Sequence, residues 1–203
     1  MLSFAREALA CGADPSATDE HGNDALMTCT GANYPSSTQK DVTALLIPLC
    51  GVTRGNKKSQ TALHRLCDTP KGNPDIAMLL LAAGADPKAR DKLGMDPLMR
   101  ACRVDNLNLA LSLIDASEVM ARDITGWTAL HWATRSKSFN IVQALIAKGW
   151  NDSSVDRTPL CSKIARDLTG SGEMGASSLI AALESSAISA TTPPGTHGLK
   201  PRL

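Results

Sequence analysis

The sequence predicts an all-α solenoid of stacked helix-turn-helix units joined by β-hairpin-like loops. Three observations carry that reading. First, the segments NDALM at 23–27, QTALH at 60–64, MDPLM at 95–99, WTALH at 127–131 and RTPLC at 157–161 align. Their leucines at 26, 63, 98, 130 and 160 recur at steps of 37, 35, 32 and 30 residues, a period that marks stacked repeats. Second, four residues upstream of each leucine stands Gly22, Ser59, Gly94, Gly126 or Asp156, and Asp19, Asp91 and Asp123 lie three residues before their glycines. Third, an apolar pattern trails the units: Ile76-Ala77, Leu80-Leu81 and Gly84 recur as Leu109-Ala110, Leu113-Ile114 and Ser117, then as Ile141-Val142, Leu145-Ile146 and Gly149.

Taken in order, Phe4-Ala5, Ala8-Leu9 and Gly12 repeat the trailing pattern at the N-terminus. Apolar pairs four residues apart trace one face of a helix, and a glycine three positions later suits a left-handed stop. Each unit therefore reads as turn, short helix, loop, longer helix, glycine stop and an extended hairpin leading to the next Asp.

This pattern resembles the ankyrin repeat, whose signature runs D-x-x-G-x-T-P-L-H-x-A, then an apolar second helix, then G-A-D. The nearest copies are DITGWTALHWA at 123–133 and LLAAGAD at 80–86. The resemblance covers residues 1 to about 187 and divides them into a half repeat at 1–18, repeats at about 19–55, 56–90, 91–122 and 123–152, and a degenerate cap at 153–187. Residues 188–203 are rich in Ser, Thr, Pro and Gly, with too little apolar surface to offset ordering entropy, and read as a disordered tail.

The units differ in quality. The first full repeat carries about five extra residues around 31–37, and Pro48 falls inside its second helix, where it predicts a kink or an early end. Lys163 stands where the family places a buried Ala, as a terminal cap with a polar outer face tolerates. The chain opens inside a second helix, as a degenerate first repeat or a piece of a longer array would.

The resemblance assigns the motif residues to the scaffold. The Thr of T-P-L-H caps the first helix, the Pro occupies its first turn and the His bonds within the loops. Asp24 and Asp96 replace the Thr and can cap as well; Met27, Met99 and Cys161 replace the His. His131 has no Cys or Asp at helical ligand spacing, and His64 has only Cys67 and Asp68, short of the closed ligand set that zinc needs, so no metal is expected. Cys29, Cys67 and Cys102 fall on small buried positions, where cysteine acts as a small hydrophobe. Residues 170–175 spell G-x-G-x-x-G, but no buried strand precedes them, so no dinucleotide and no other cofactor is expected. No catalytic constellation is readable, and the chain is expected not to be an enzyme.

Composition sets the remaining bounds. Apolar residues make up 43% and charged residues 20%, which excludes wholesale disorder; with aromatics at 3%, the core must come from Leu, Ile, Val and Ala. Twenty-one Lys and Arg against 20 Asp and Glu argue against nucleic-acid or polybasic membrane binding. Arg6 and Glu7 interrupt the apolar N-terminus, making it a poor signal peptide. Six widely spaced cysteines (Cys11, Cys29, Cys50, Cys67, Cys102, Cys161) do not form a disulfide scaffold. An intracellular protein of the cytoplasm or nucleus, monomeric and with another protein as partner, is expected.

The family binds through hairpin tips and the exposed face of the first helix. Carried over, the tips are the two residues after the Asp and the one after the Gly. Their early members are polar, with a basic spot at Lys57 and Lys58; from Leu93 onward they turn apolar. Leu93, Met95, Ile124 and Trp127, with Arg100, Arg103, Trp132 and Arg135 from the first helices, form the expected partner-binding stripe, which has the composition of an interface hot spot. The expected function is a non-enzymatic protein-interaction module or adaptor. The alternative is a targeting segment of a larger ankyrin-containing enzyme or regulator, and an enzyme or sensor using exposed cysteines is a third reading.

Overall fold

The computed structural model describes residues 2–149, apart from residues 33, 34 and 119. Within them the chain forms α1 (Leu2–Ala10), α2 (Ala25–Gly31), α3 (Ser36–Leu46), α4 (Ala62–Cys67), α5 (Pro74–Ala82), α6 (Pro97–Arg103), α7 (Leu107–Leu113), α8 (Ala129–Arg135) and α9 (Phe139–Ala147). No strand occurs among the described residues. The even-numbered first helices pack in one row, α2 on α4, α4 on α6 and α6 on α8; the second helices α1, α3, α5, α7 and α9 form the other. The architecture is an all-α solenoid of two layers.

The core lies between the rows. Leu26, Leu63, Leu98 and Leu130, the residues that set the sequence period, are buried, and Ile76, Leu80, Leu109, Leu113, Ile141 and Leu145 meet them from the second helices. Each such side chain contributes about 2 kcal/mol relative to exposure. A two-helix unit has one neighbour on each side for this burial, so the interior is continuous from repeat to repeat.

Caps follow the sequence closely. Thr61 and Thr128 form capping boxes with His64 and His131. Asp24 and Asp96 do the same work alone, each Oδ1 accepting from the backbone N of Met27 or Met99 at 2.8 Å. Gly12, Gly84 and Gly149 end their helices with φ of 87°, 90° and 80°. α3 ends at Leu46, ahead of Pro48, as the missing donor of proline requires. Asn106 caps α7 and reaches back one repeat, its Nδ2 donating to the carbonyls of Thr69 and Gly72 at 3.2 and 3.1 Å. The cap at 153–187 with Lys163, the glycine motif at 170–175, Cys161 and the tail at 188–203 lie outside the described residues.

The hairpins share one device. Asp19, Asp91 and Asp123 each use Oδ1 to accept from the backbone N–H groups two and four residues on, at 2.8–2.9 Å. Asn56, which the sequence pattern of acids does not include, does so in the second hairpin at 2.9 and 3.0 Å. Successive hairpins are then joined by single backbone bonds: Lys57 N to His21 O at 3.0 Å, Lys92 N to Lys58 O at 2.9 Å and Ile124 N to Leu93 O at 3.0 Å. The turn needs a left-handed residue, supplied by Gly22, Gly94 and Gly126; in the second hairpin Ser59 takes φ 58° instead. A side chain there costs roughly 1–2 kcal/mol.

Two expectations follow. Ser59→Gly should gain ~1 kcal/mol after the entropy of the unfolded glycine is subtracted, raising the melting temperature by a few degrees. Asp96 is a buried carboxyl, and desolvation pushes its pKa from 3.8 up to about 6. The unfolded carboxyl ionises first as pH rises, so native stability is complete below 3.8 and is lost as pH climbs through 6. Asp96→Asn keeps a cap acceptor without the charge. In urea titrations its stability relative to wild type should therefore climb between about pH 4 and 6, by ~1–3 kcal/mol, and then level.

Candidate functional site

The motif histidines are held by the scaffold. His64 Nδ1 lies 2.9 Å from Thr61 Oγ1, and its Nε2 lies 3.1 Å from the carbonyl of Met95 in the next hairpin. Burial holds its pKa below the usual histidine value. His131 repeats the contact with Thr128 at 2.9 Å. Cys29, Cys67 and Cys102 are buried, and desolvation raises all three thiols, which makes them poor nucleophiles; Cys11 is exposed. Among the described residues no three His, Cys, Asp or Glu side chains gather as a metal site would need.

Two expected partner-binding residues are not on the surface. Met95 is 1% exposed. Its N–H is taken by Asp91 and its carbonyl by His64, so its side chain turns in between repeats. The cause is general: Asn23 and Gln60, which also follow the left-handed residue, are buried too. The position after the glycine is the inner shoulder of the hairpin. Only Trp127, at the same place, stays half-exposed.

Arg100 is likewise buried, at 3% exposure. Its guanidinium bonds Asp91 Oδ2 and both oxygens of Asp68, at 2.6 and 2.5 Å for the latter. Asp91 belongs to its own hairpin and Asp68 to the preceding repeat, so the ion cluster ties two repeats together. A buried guanidinium is tolerated because two carboxylates compensate it; removal of one partner from such a cluster costs about 3–5 kcal/mol. Arg103 shares Asp68 at 2.8 Å from a half-exposed position.

The other expected residues do meet on one surface. Leu93 and Ile124 are 47% and 70% exposed at neighbouring tips, joined by the bond from Ile124 N to Leu93 O. Trp127 and Trp132 lie 5.0 Å apart with rings tilted by 59°. Arg135 stands over both, 5.4 and 5.7 Å from the ring centroids. Trp132 Nε1 donates to Asp123 Oδ2 at 2.9 Å, the role that Arg100 plays for Asp91. Apolar area, a shielded aromatic pair and a cation–π contact therefore lie side by side.

The sequence reading missed a row of hairpin arginines. Arg90 donates to the carbonyls of Gly94 and Arg122 at 2.6 and 2.8 Å, and Arg122 to Gly126 O at 2.7 Å. Each directly precedes its hairpin Asp, so the recurring Arg-Asp pair at 90–91 and 122–123 was the available signal. With Lys57, Lys58 and Lys92 they make the hairpin side of the middle repeats cationic, while Asp91, Asp96 and Asp123 are buried.

Comparison with known proteins agrees with this architecture. Residues 69–158 match the family model for ankyrin repeats, in three copies. The B-cell lymphoma 3 protein homolog of Mus musculus is 32% identical over 151 residues, 70% of this chain and 33% of that protein. NF-kappa-B inhibitor alpha of Homo sapiens is 35% identical over 101 residues, 46% of this chain and 31% of the relative. The tyrosine-protein kinase HTK16 of Hydra vulgaris is 34% identical over 90 residues, 43% of this chain and 12% of the kinase. The chain thus spans a third or less of the length of these relatives. No helix among the described residues is long and apolar enough to cross a membrane. With the repeated hairpins, caps and two-row stacking, these matches identify the chain as an ankyrin-repeat protein.

Proposed function

We propose that the chain is a non-enzymatic protein-binding module, an adaptor whose partner lies across the hairpin tips and the first-helix groove. The observation that carries this reading is the pair Leu93 and Ile124. Both are large apolar side chains left exposed on adjacent tips, where they stabilise nothing by stacking. Trp127 and Trp132 under Arg135 extend the patch, and Arg103 adds a half-exposed cation on the adjacent first helix, paired with Asp68. Such a patch offers a partner desolvation at its centre and charge at its edge. The relative named as an inhibitor of NF-kappa-B is a protein that acts on another protein, which supports the same class of function here. The partner is a protein rather than nucleic acid or a membrane, met by a monomer in the cytoplasm or nucleus.

A second reading is favoured by the match to a tyrosine-protein kinase over 12% of its length. In it the repeats serve as the targeting segment of a larger enzyme or regulator. The surface and its chemistry are the same in both readings.

Leu93→Asp with Ile124→Asp tests the surface without touching the core. Circular dichroism and the melting temperature should stay at wild-type values. A partner recovered by affinity capture with the wild-type chain should lose at least about tenfold in affinity for the double variant. If every captured partner binds both forms equally, the tips are not the binding surface.

A further inference from the structure

Position by position, Arg65 of α4 is the equivalent of Arg100 of α6: each lies two residues after the repeat leucine. The two guanidinium groups have different surroundings. Arg100 is neutralised by Asp91, seven residues before its leucine, and by Asp68, five residues after the leucine of the preceding repeat. At the first of these places Arg65 meets Asn56, and at the second Gly31, which has no side chain. Both carboxylates are missing at once.

The neighbouring amides do not make up the loss. Asn56 spends its Oδ1 on the backbone N–H groups of Lys58 and Gln60, and its Nδ2 is itself a donor, to Asn23 Oδ1 at 2.8 Å. The Asn23 oxygen is therefore already engaged. Arg65 lies against Gly31, where a Cβ would come within 2.7 Å of its terminal nitrogen. Its Nε is buried, and no described residue accepts a hydrogen bond from it.

Beside this guanidinium is a cavity of about 150 Å3, lined by Lys57, Lys58, His21, Arg65 and the amides of Asn23 and Asn56. Gln60 adds a third amide, so the lining is three cationic side chains, an imidazole and amides, and it contains no carboxylate. Glu20 lies 3.6 Å from His21 but is largely exposed and does not line it. Asp19 is occupied by the N–H groups of its own hairpin and by Asn23 Nδ2.

We infer that this cavity is the seat for a carboxylate side chain of an acidic segment in the partner protein. From the cavity, the incoming carboxylate supplies the countercharge that Asp91 and Asp68 give Arg100, with Lys57 and Lys58 adding charge from the hairpin. The guanidinium fork matches a carboxylate in two parallel bonds. The inference rests on the protein-binding reading and gives it a direction. An extended segment would set its acid between the first two hairpins and its apolar side chains on Leu93 and Ile124.

The probe is a fluorescein-labelled deca-glutamate peptide, with deca-glutamine as control, titrated into the full chain and read by anisotropy and by the Arg65 Nε–H resonance. Deca-glutamate should bind and shift that resonance, and deca-glutamine should do neither. Arg65→Gln should weaken binding about tenfold, whereas Arg6→Gln, the same charge change on α1, should leave it unaltered. Asn56→Asp restores the acid found in the other hairpins, so it folds. It should move the Arg65 resonance without peptide and weaken deca-glutamate about as much as Arg65→Gln. Equal binding by wild type and Arg65→Gln, an unmoved Arg65 resonance at saturation, or full affinity in Asn56→Asp each overturns the inference. Deca-glutamate has no apolar side chains, so Leu93→Asp with Ile124→Asp should bind it normally. The acid seat and the apolar tips can therefore fail separately.

Discussion

The structure depends on a single constraint: a two-helix unit is too thin to bury its own leucine, so it does so only against the next unit. Leu26, Leu63, Leu98 and Leu130 belong to one buried cluster that runs through successive repeats. Stacking must then be held in register. Among the polar contacts that do this are the backbone bonds between tips, the reach of Asn106 to Thr69 and Gly72, and the His64 contact with Met95 O. The last two satisfy buried polar groups whose abandonment would cost about 1–3 kcal/mol.

Because the scaffold repeats, equivalent positions can be compared under nearly constant geometry. The site two residues after each leucine holds Thr28, Arg65, Arg100 and Trp132. Arg100 and Trp132 both bond the second carboxylate oxygen of their own hairpin Asp, one as a cation and one through an indole N–H. That oxygen is occupied in the first hairpin by Asn23, and in the second there is no carboxylate. The scaffold role of the hairpin acid needs only Oδ1, which an amide supplies equally well. The second oxygen is free to vary, and the surface charge of each repeat follows from what fills it.

The fold was largely legible in the sequence because its signals are local. A cap acts on backbone groups three residues away, a left-handed stop within one turn, and the apolar pairs within one helix. Asp24, Asp96, Gly12, Gly84, Gly149 and Pro48 all behave as those short-range rules require. Asn56 escaped the pattern of acids because an amide fills the place of the Asp, whereas Ser59, read at the glycine position, takes the left-handed conformation that position demands. The exposure of the expected stripe was read less well. Leu93 and Ile124 point outward, yet Met95 and Arg100, from the same segments, are buried.

The sequence by itself determined the repeat, its helices, their ends and the residues of the core, since each is signalled by a pattern within about ten residues that then recurs. Tertiary structure decided which side chains remain for a partner. Arg100 meets Asp68 across 32 residues of chain, and Met95 meets His64 across 31. Arg65 has the same local sequence position as Arg100 but lacks both acids, one of them because Gly31 stands in the preceding repeat. Burial and charge compensation are properties of the stacked pair, so one repeat read alone cannot reveal them.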